Sequence, residues 1–364
     1  MNTDTTLNPT EPNAQAQPSP LHKTFIGRDG IRAGWSLLIF IAMLAAIIIA
    51  THFIVLKFHH PPANTAKISE DSAKSTIINE SVIFVVVLLV TWIMSKIERR
   101  PNSVYGLGGS RKAALFFTGL GWGIVCLFLL VLTLWKTGLL VIDSRLLFGP
   151  DILRYGAIWL LGFLLVGLLE EYLFRGYIQY TLTRGVAGLY SWAFKSRPSE
   201  AFAFWTSAVI LSFLFSLAHG KNPGESPIGL LAVVLVALVF CLSLWRAGSL
   251  WWAIGFHTSW DWAQSFLCGV ADSGHIAQHH LLATHPVGKA VLSGGATGPE
   301  GSVFVVAILG LTSLIIFLTL PRGRYAATPD DPGPAEIGQP GGRCLLYYYS
   351  PTVPGPLPAA AKKT

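Results

Sequence analysis

Charge is what this chain lacks most. Only 12% of its 364 residues are Asp, Glu, Lys or Arg, about half the fraction of an average soluble domain. Together with 52% hydrophobic residues and a mean hydropathy of +0.54, that scarcity excludes an ordinary soluble enzyme and implies a protein that crosses a membrane several times. Cysteine is scarce too. Cys126, Cys241, Cys268 and Cys344 show no CxxC pair and no paired spacing, which excludes a disulfide framework and a thiolate metal site. Cys344 is also too far from the C-terminus to be a prenylation box of the chain itself. No basic stretch followed by a short apolar core opens the sequence, so no signal peptide is read there. The net charge of +7 could suggest nucleic acid, but Lys and Arg fall in short clusters beside apolar segments. They read as topology signals, and no nucleic-acid partner is expected.

What the chain does have is long apolar runs, at about 35–56, 78–96, 114–135, 154–178, 202–219, 228–245, 250–269 and 303–320. These predict an all-α, polytopic transmembrane bundle of about eight spans in a lipid bilayer. Residues 1–30, rich in Thr, Asn, Pro and Gln, read as a disordered leader. Residues 31–145 read as N-terminal transmembrane helices and 150–270 as the central membrane domain. The stretch 271–302, with four histidines and GGATGPEG, reads as an irregular external loop, 303–320 as the last span and 321–364 as a disordered tail. Clusters such as Arg28, Arg32, Lys96, Arg99, Arg100, Arg111 and Lys112 place both termini in the cytoplasm, with the protein in the inner (plasma) membrane. Small-residue spacing at Gly119, Gly121 and Gly123, and at Gly156 and Gly162, predicts close helix packing.

One apolar run carries adjacent carboxylates, in LLEEYLFRGYIQY (168–180). Ionisable groups at that depth cost several kcal/mol unless paired or hydrated, and mark function by default. Glu171 and Arg175 lie four apart, on one helical face, and can pair, whereas Glu170 is turned about 100° away and lacks a local partner. Two later runs add polar lines: Ser212, Ser216 and His219 in the fifth, His257 and Asp261 at i and i+4 in the seventh. Either histidine alone could be an interfacial residue. Three separate spans with ionisable groups are a stronger sign of a shared site.

Those residues carry a resemblance. EEYLFR is similar to the EExxxR signature, FSLAH to FxxxH and HTSWD to HxxxN/D, in that order on successive spans. The chain therefore resembles the CPBP or Abi family of intramembrane proteases, which includes the Ras-converting CAAX prenyl endopeptidase and bacteriocin-processing or immunity proteins. The resemblance covers about 157–266. It implies that Glu170 and His219 activate a water molecule, that Glu171 and Arg175 support the glutamate, and that His257 and residue 261 stabilise the oxyanion or bind the water. Position 261 is Asp where the prenyl endopeptidases have Asn. An ionised Asp accepts hydrogen bonds only, so Asp261 suits orienting His257, or is itself protonated.

The expectation is an intramembrane endopeptidase acting on a peptide, a CAAX-like segment or a membrane-associated protein. Glutamate-activated water needs no cofactor. Alternatively Glu170, His219 and His257 form a His2Glu zinc set with an open position. A proton-coupled transporter and a catalytically silent scaffold or immunity protein of the same fold remain the competing readings.

Overall fold

Backbone amides in lipid must be paired within the chain, so runs rich in Leu, Ile, Val and Phe fold there as helices. The computed structural model describes residues 24–27, 30–58, 71–196 and 198–320. It consists of α1 (Ala33–Phe58), α2 (Ala73–Ile97), α3 (Lys112–Lys136), α4 (Pro150–Glu170), a π-helical segment (Glu171–Ile178), α5 (Gln179–Phe194), α6 (Glu200–His219), α7 (Pro227–Ala247), α8 (Trp251–Asp261), a second π-helical segment (Trp262–Leu267), the short α9 (Ala290–Ser293) and α10 (Phe304–Thr319). Nearly all of the expected leader, the whole expected tail with Cys344, and the topology residue Arg28 lie outside the described residues. The end of the leader differs from expectation: β1 (Ile26–Gly27) and β2 (Gly30–Ile31) form a short antiparallel ribbon.

Each of the eight expected apolar runs is helical. Among the described residues six helices are long and apolar enough to cross a membrane, and α10 is a shorter apolar helix. Large apolar side chains project outward along the bundle, Leu217 and Leu318 both 71% exposed, as they do where the surrounding solvent is hydrocarbon. The chain is a polytopic helical membrane bundle.

The fourth run is longer than its apolar stretch. From Pro150 to Phe194 the chain is helical for 45 residues, about 68 Å if straight, against a hydrocarbon thickness of about 30 Å. The helix does not stop at 178, where polar residues begin, because those residues are buried in protein. The Gln179 amide donates to the Phe204 carbonyl at 3.2 Å and the Thr183 hydroxyl to the Gln179 carbonyl at 2.8 Å. Shorter helices have ordinary local signals: Ser199 caps α6, Ser226 caps α7 with Pro227 in its first turn, and Gly248 at φ 65° ends α7.

α8 is the buried centre. Trp252, Ala253, Ile254 and Phe256 are at most 1% exposed, and α3 packs closely along it. Glycines make that approach possible. A Cβ at Gly119 or Gly123 would collide with the Trp252 or Phe256 carbonyl, and one at Gly255 with the Phe116 carbonyl. Gly156 meets the Phe266 ring in the same way, whereas Gly121 faces open space and Gly162 makes ordinary contacts.

Residues 271–302 are not an irregular loop. β4 (Leu282–Pro286) pairs antiparallel with β3 (Leu140–Arg145), Leu140 opposite Pro286 and Arg145 opposite Leu282, with a register shift between Ile142 and Ser144. Beyond it the Gly-rich stretch folds back on the bundle. Gly294, Gly295 and Gly298 adopt positive φ, and Thr297, 1% exposed, donates to the Gly224 carbonyl at 2.8 Å. The segment thereby walls one end of the bundle.

Candidate active site

α4 delivers its carboxylates to α8 because Gly167 lets the backbones meet: a Cβ there would lie 3.1 Å from Thr258 Oγ1 and 3.3 Å from the Ile254 carbonyl. Glu170 is the last residue of α4 and Glu171 the first of the π segment. A π turn holds more residues than an α turn and re-aims the side chains beside it, and such turns recur at functional sites. A second π turn follows Asp261.

Glu171 is fully buried. Its Oε1 accepts from Arg175 Nη1 at 3.1 Å and from His257 Nδ1 at 3.0 Å. The expected Glu171–Arg175 pair is thus present, and the same carboxylate also fixes the imidazole. Because an ionised carboxylate only accepts, Nδ1 carries a hydrogen and Nε2 faces the cavity. The Arg175 guanidinium lies over the Phe215 ring, 4.2 Å from its centroid, and 5.7 Å from that of Phe240. Phe240 also stacks on His257 at 5.5 Å. His257 Nε2 is 3.4 Å from Asp261 Oδ2 and 3.8 Å from Glu170 Oε2. His257 is therefore held among three carboxylates, with Asp261 placed to orient it.

His219 joins from the end of α6. Its Nδ1–H donates to the Phe215 carbonyl at 2.8 Å, as suits one helical turn, which leaves Nε2 as an acceptor. Phe215 packs against both this ring, at 4.5 Å, and Arg175. Glu170, His219, His257 and Asp261 all line one cavity of about 610 Å³, whereas Glu171 and Arg175 stand behind it. Ser212 and Ser216, on the same polar line as His219, do not reach the cavity. Ser216 instead donates to the Leu230 carbonyl at 2.8 Å, tying α6 to α7.

The cavity extends to the 269–302 segment, since Asp272, Ser273, His275 and Glu300 also line it, together with Asp71. Four acids in this lining escaped the sequence reading: Asp71, Glu80, Asp272 and Glu300. Glu80 had a signal, a lone acid inside the apolar run of α2. The other three sit in polar stretches and had none. Burial pushes the Asp272 carboxyl up to about 6, with the Ser265 hydrogen bond and nearby histidines opposing. Glu300 is raised well above the usual carboxylate range by burial and then by the charge of Asp272.

Among the described residues no three His, Cys, Asp or Glu side chains are placed to share one metal ion. Nδ1 of His257 is held by Glu171 and Nδ1 of His219 by the Phe215 carbonyl, so in both rings Nε2 is the nitrogen left for other contacts. The loop histidines have other partners: His275 pairs with Asp71 at 3.0 Å, His285 with Asp143 at 2.8 Å, and His279 stacks on Tyr155 at 4.3 Å.

Residues 152–263 match the family described as type II CAAX prenyl endopeptidase Rce1-like. This segment is similar to that family. The matched segment runs from α4 into the second π turn and contains Glu170, Glu171, Arg175, His219, His257 and Asp261, whereas Glu80, Asp272 and Glu300 lie outside it. Comparison with curated proteins and with solved structures gave no match.

Proposed function

We propose that this protein is an intramembrane endopeptidase that hydrolyses a peptide bond of a membrane-associated protein or CAAX-like peptide with a glutamate-activated water. The observation that supports it most is the arrangement around His257. A buried Glu171–Arg175 pair fixes the ring from behind, and its Nε2 side faces Glu170 and Asp261 on a cavity that His219 also lines.

In this reading a water sits between Glu170 and His219. Glu170 takes one proton as the water oxygen attacks the scissile carbonyl. The oxyanion is met by Nε2–H of His257 when that ring carries both protons; Glu171 and Asp261 balance its charge. Glu170 then hands its proton to the leaving amine as the C–N bond breaks, so no proton is left over. The scheme routes no step through a metal.

In the same reading both termini lie in the cytoplasm of an inner-membrane protein, which the Lys and Arg distribution supports. A quenched peptide library offered to detergent-purified protein tests the reaction. Cleavage by wild type that is lost in His219→Gln and His257→Gln supports it. Cleavage retained in both contradicts it.

A further inference from the structure

The first π segment carries Glu171 at one end and Tyr177 near the other. Tyr177 is fully buried, and its hydroxyl donates to Glu98 Oε1 at 3.0 Å. Glu98 ends α2 and is 3% exposed. Its Oε2 accepts from the Tyr105 hydroxyl at 3.4 Å and lies 3.6 Å from Arg184 Nη1, on the α5 stretch of the same continuous helix. A buried carboxylate persists only with such partners, and this one draws them from the α2–α3 connection, the π segment and α5. The Tyr177 ring is held as well, stacked on Phe40 at 4.2 Å and edge-on to Tyr105 at 5.1 Å.

The α2–α3 connection also holds the start of α8. The Tyr105 carbonyl lies against Gly176, where a Cβ would come within 2.8 Å of it. The next residue, Gly106, turns at φ 85°, and its carbonyl accepts from the Leu250 amide at 2.9 Å. The Ser249 hydroxyl donates to the Gly108 carbonyl and the Trp251 indole to that of Leu107, each at 3.2 Å. Leu250 caps α8, which presents His257 less than two turns further on. Residues 98–108 therefore touch, on one side, the segment that bears Glu171 and, on the other, the helix that bears His257.

We propose that Glu98 is a positioning residue for the peptidase site: by clasping Tyr177 and Tyr105 together it sets the depth and rotation at which the π segment offers Glu170 and Glu171 to His257. The inference rests on the peptidase reading and adds to it a residue outside the matched 152–263. Glu98 touches no reacting atom. It acts through the helix, since Tyr177 and Glu171 are roughly 9 Å apart along its axis. A shift of about 1 Å at the reacting groups can cost on the order of 10²-fold in rate, and the clasp resists such a shift.

The test measures kcat and KM with a quenched peptide on the full chain in detergent, scaled to folded protein. Tyr177→Phe keeps the ring and loses only the hydroxyl. Glu98→Gln keeps the shape but offers one acceptor oxygen in place of two. Each is expected to lower kcat about tenfold or more with KM within about twofold, and the double variant should lose less than the product of the two, because both break one clasp. Thr312→Ala, which breaks a buried hydroxyl–thiol contact between α10 and Cys126 of α3, should lower the unfolding temperature and leave kcat unchanged. A Tyr177→Phe protein with kcat within about twofold of wild type, or a loss that appears in KM alone, overturns the positioning role while leaving the peptidase intact. No cleavage of any peptide by wild type instead overturns the peptidase reading, and the positioning role with it.

Discussion

Arg175→Met removes the guanidinium from a pair in which Arg175 is 3% and Glu171 0% exposed. Glu171 is then a fully buried carboxylate with one donor, His257 Nδ1 at 3.0 Å, and an Oε2 that already lacks a partner. Breaking a buried pair by removing one member costs about 3–5 kcal/mol, and a membrane domain of this size should lose about 2–4 °C per kcal/mol. The unfolding temperature in detergent is therefore predicted to fall by about 6–20 °C. A thiol-reactive fluorophore reports it through the buried free cysteines Cys126, Cys241 and Cys268. Glu171→Gln should cost less, because Arg175 keeps the faces of Phe215 and Phe240, each worth up to about 2 kcal/mol when desolvated. In Arg175→Met/Glu171→Met both charges are gone and most of the lost stability should return, since apolar replacement of a buried pair is often neutral. Peptide cleavage should stay low there, because His257 has lost the acceptor at Nδ1. An Arg175→Met loss below about 1 kcal/mol, the scale of an exposed pair, or a double variant as unstable as the two losses added, refutes the reasoning.

Gly255→Val should separate α8 from α3, since even a Cβ there collides with the Phe116 carbonyl; overpacking of this kind costs about 1–3 kcal/mol, and an unchanged unfolding temperature would contradict the packing. Asp272 titrates at about 6 in the fold against an ordinary 3.8, so folding favours its protonated form: its contribution is complete below 3.8 and lost as pH rises through 6, on the order of 1–3 kcal/mol. Unfolding temperature followed from pH 4 to 8 should fall over that window and flatten in Asp272→Asn; a rise with pH in wild type that this substitution removes would contradict the assignment.

The helices were legible because hydrocarbon allows a spanning chain few alternatives, and hydropathy alone places all eight apolar segments. Their ends were less so. Gln179, Thr181 and Thr183 look like the end of a span, yet they are buried in a helix that runs on to Phe194. The Glu171–Arg175 pair follows from spacing on one helix. The contact between Glu171 and His257, 86 positions apart, does not, because it depends on Gly167 bringing α4 against α8. Glu80 was readable by the same rule that singled out Glu170, an acid inside an apolar run. Asp272 and Glu300 were not, since acids in a polar segment are ordinary, and only the fold of 269–302 back over the bundle brings them to the cavity. Neither π turn has a sequence signature of its own.

The central claim is that Glu170 activates the water without help from a metal. Its side chain is 27% exposed on the cavity and its nearest basic neighbour is His257 Nε2 at 3.8 Å, so Glu170→Gln should fold normally while losing about 10²–10⁴ in kcat. The most direct measurement is peptide cleavage by wild type and Glu170→Gln, each with and without a chelator. The account predicts cleavage by wild type that survives chelation and disappears in Glu170→Gln with an unchanged unfolding temperature. Cleavage abolished by chelation and restored by zinc, or retained in Glu170→Gln, would contradict it.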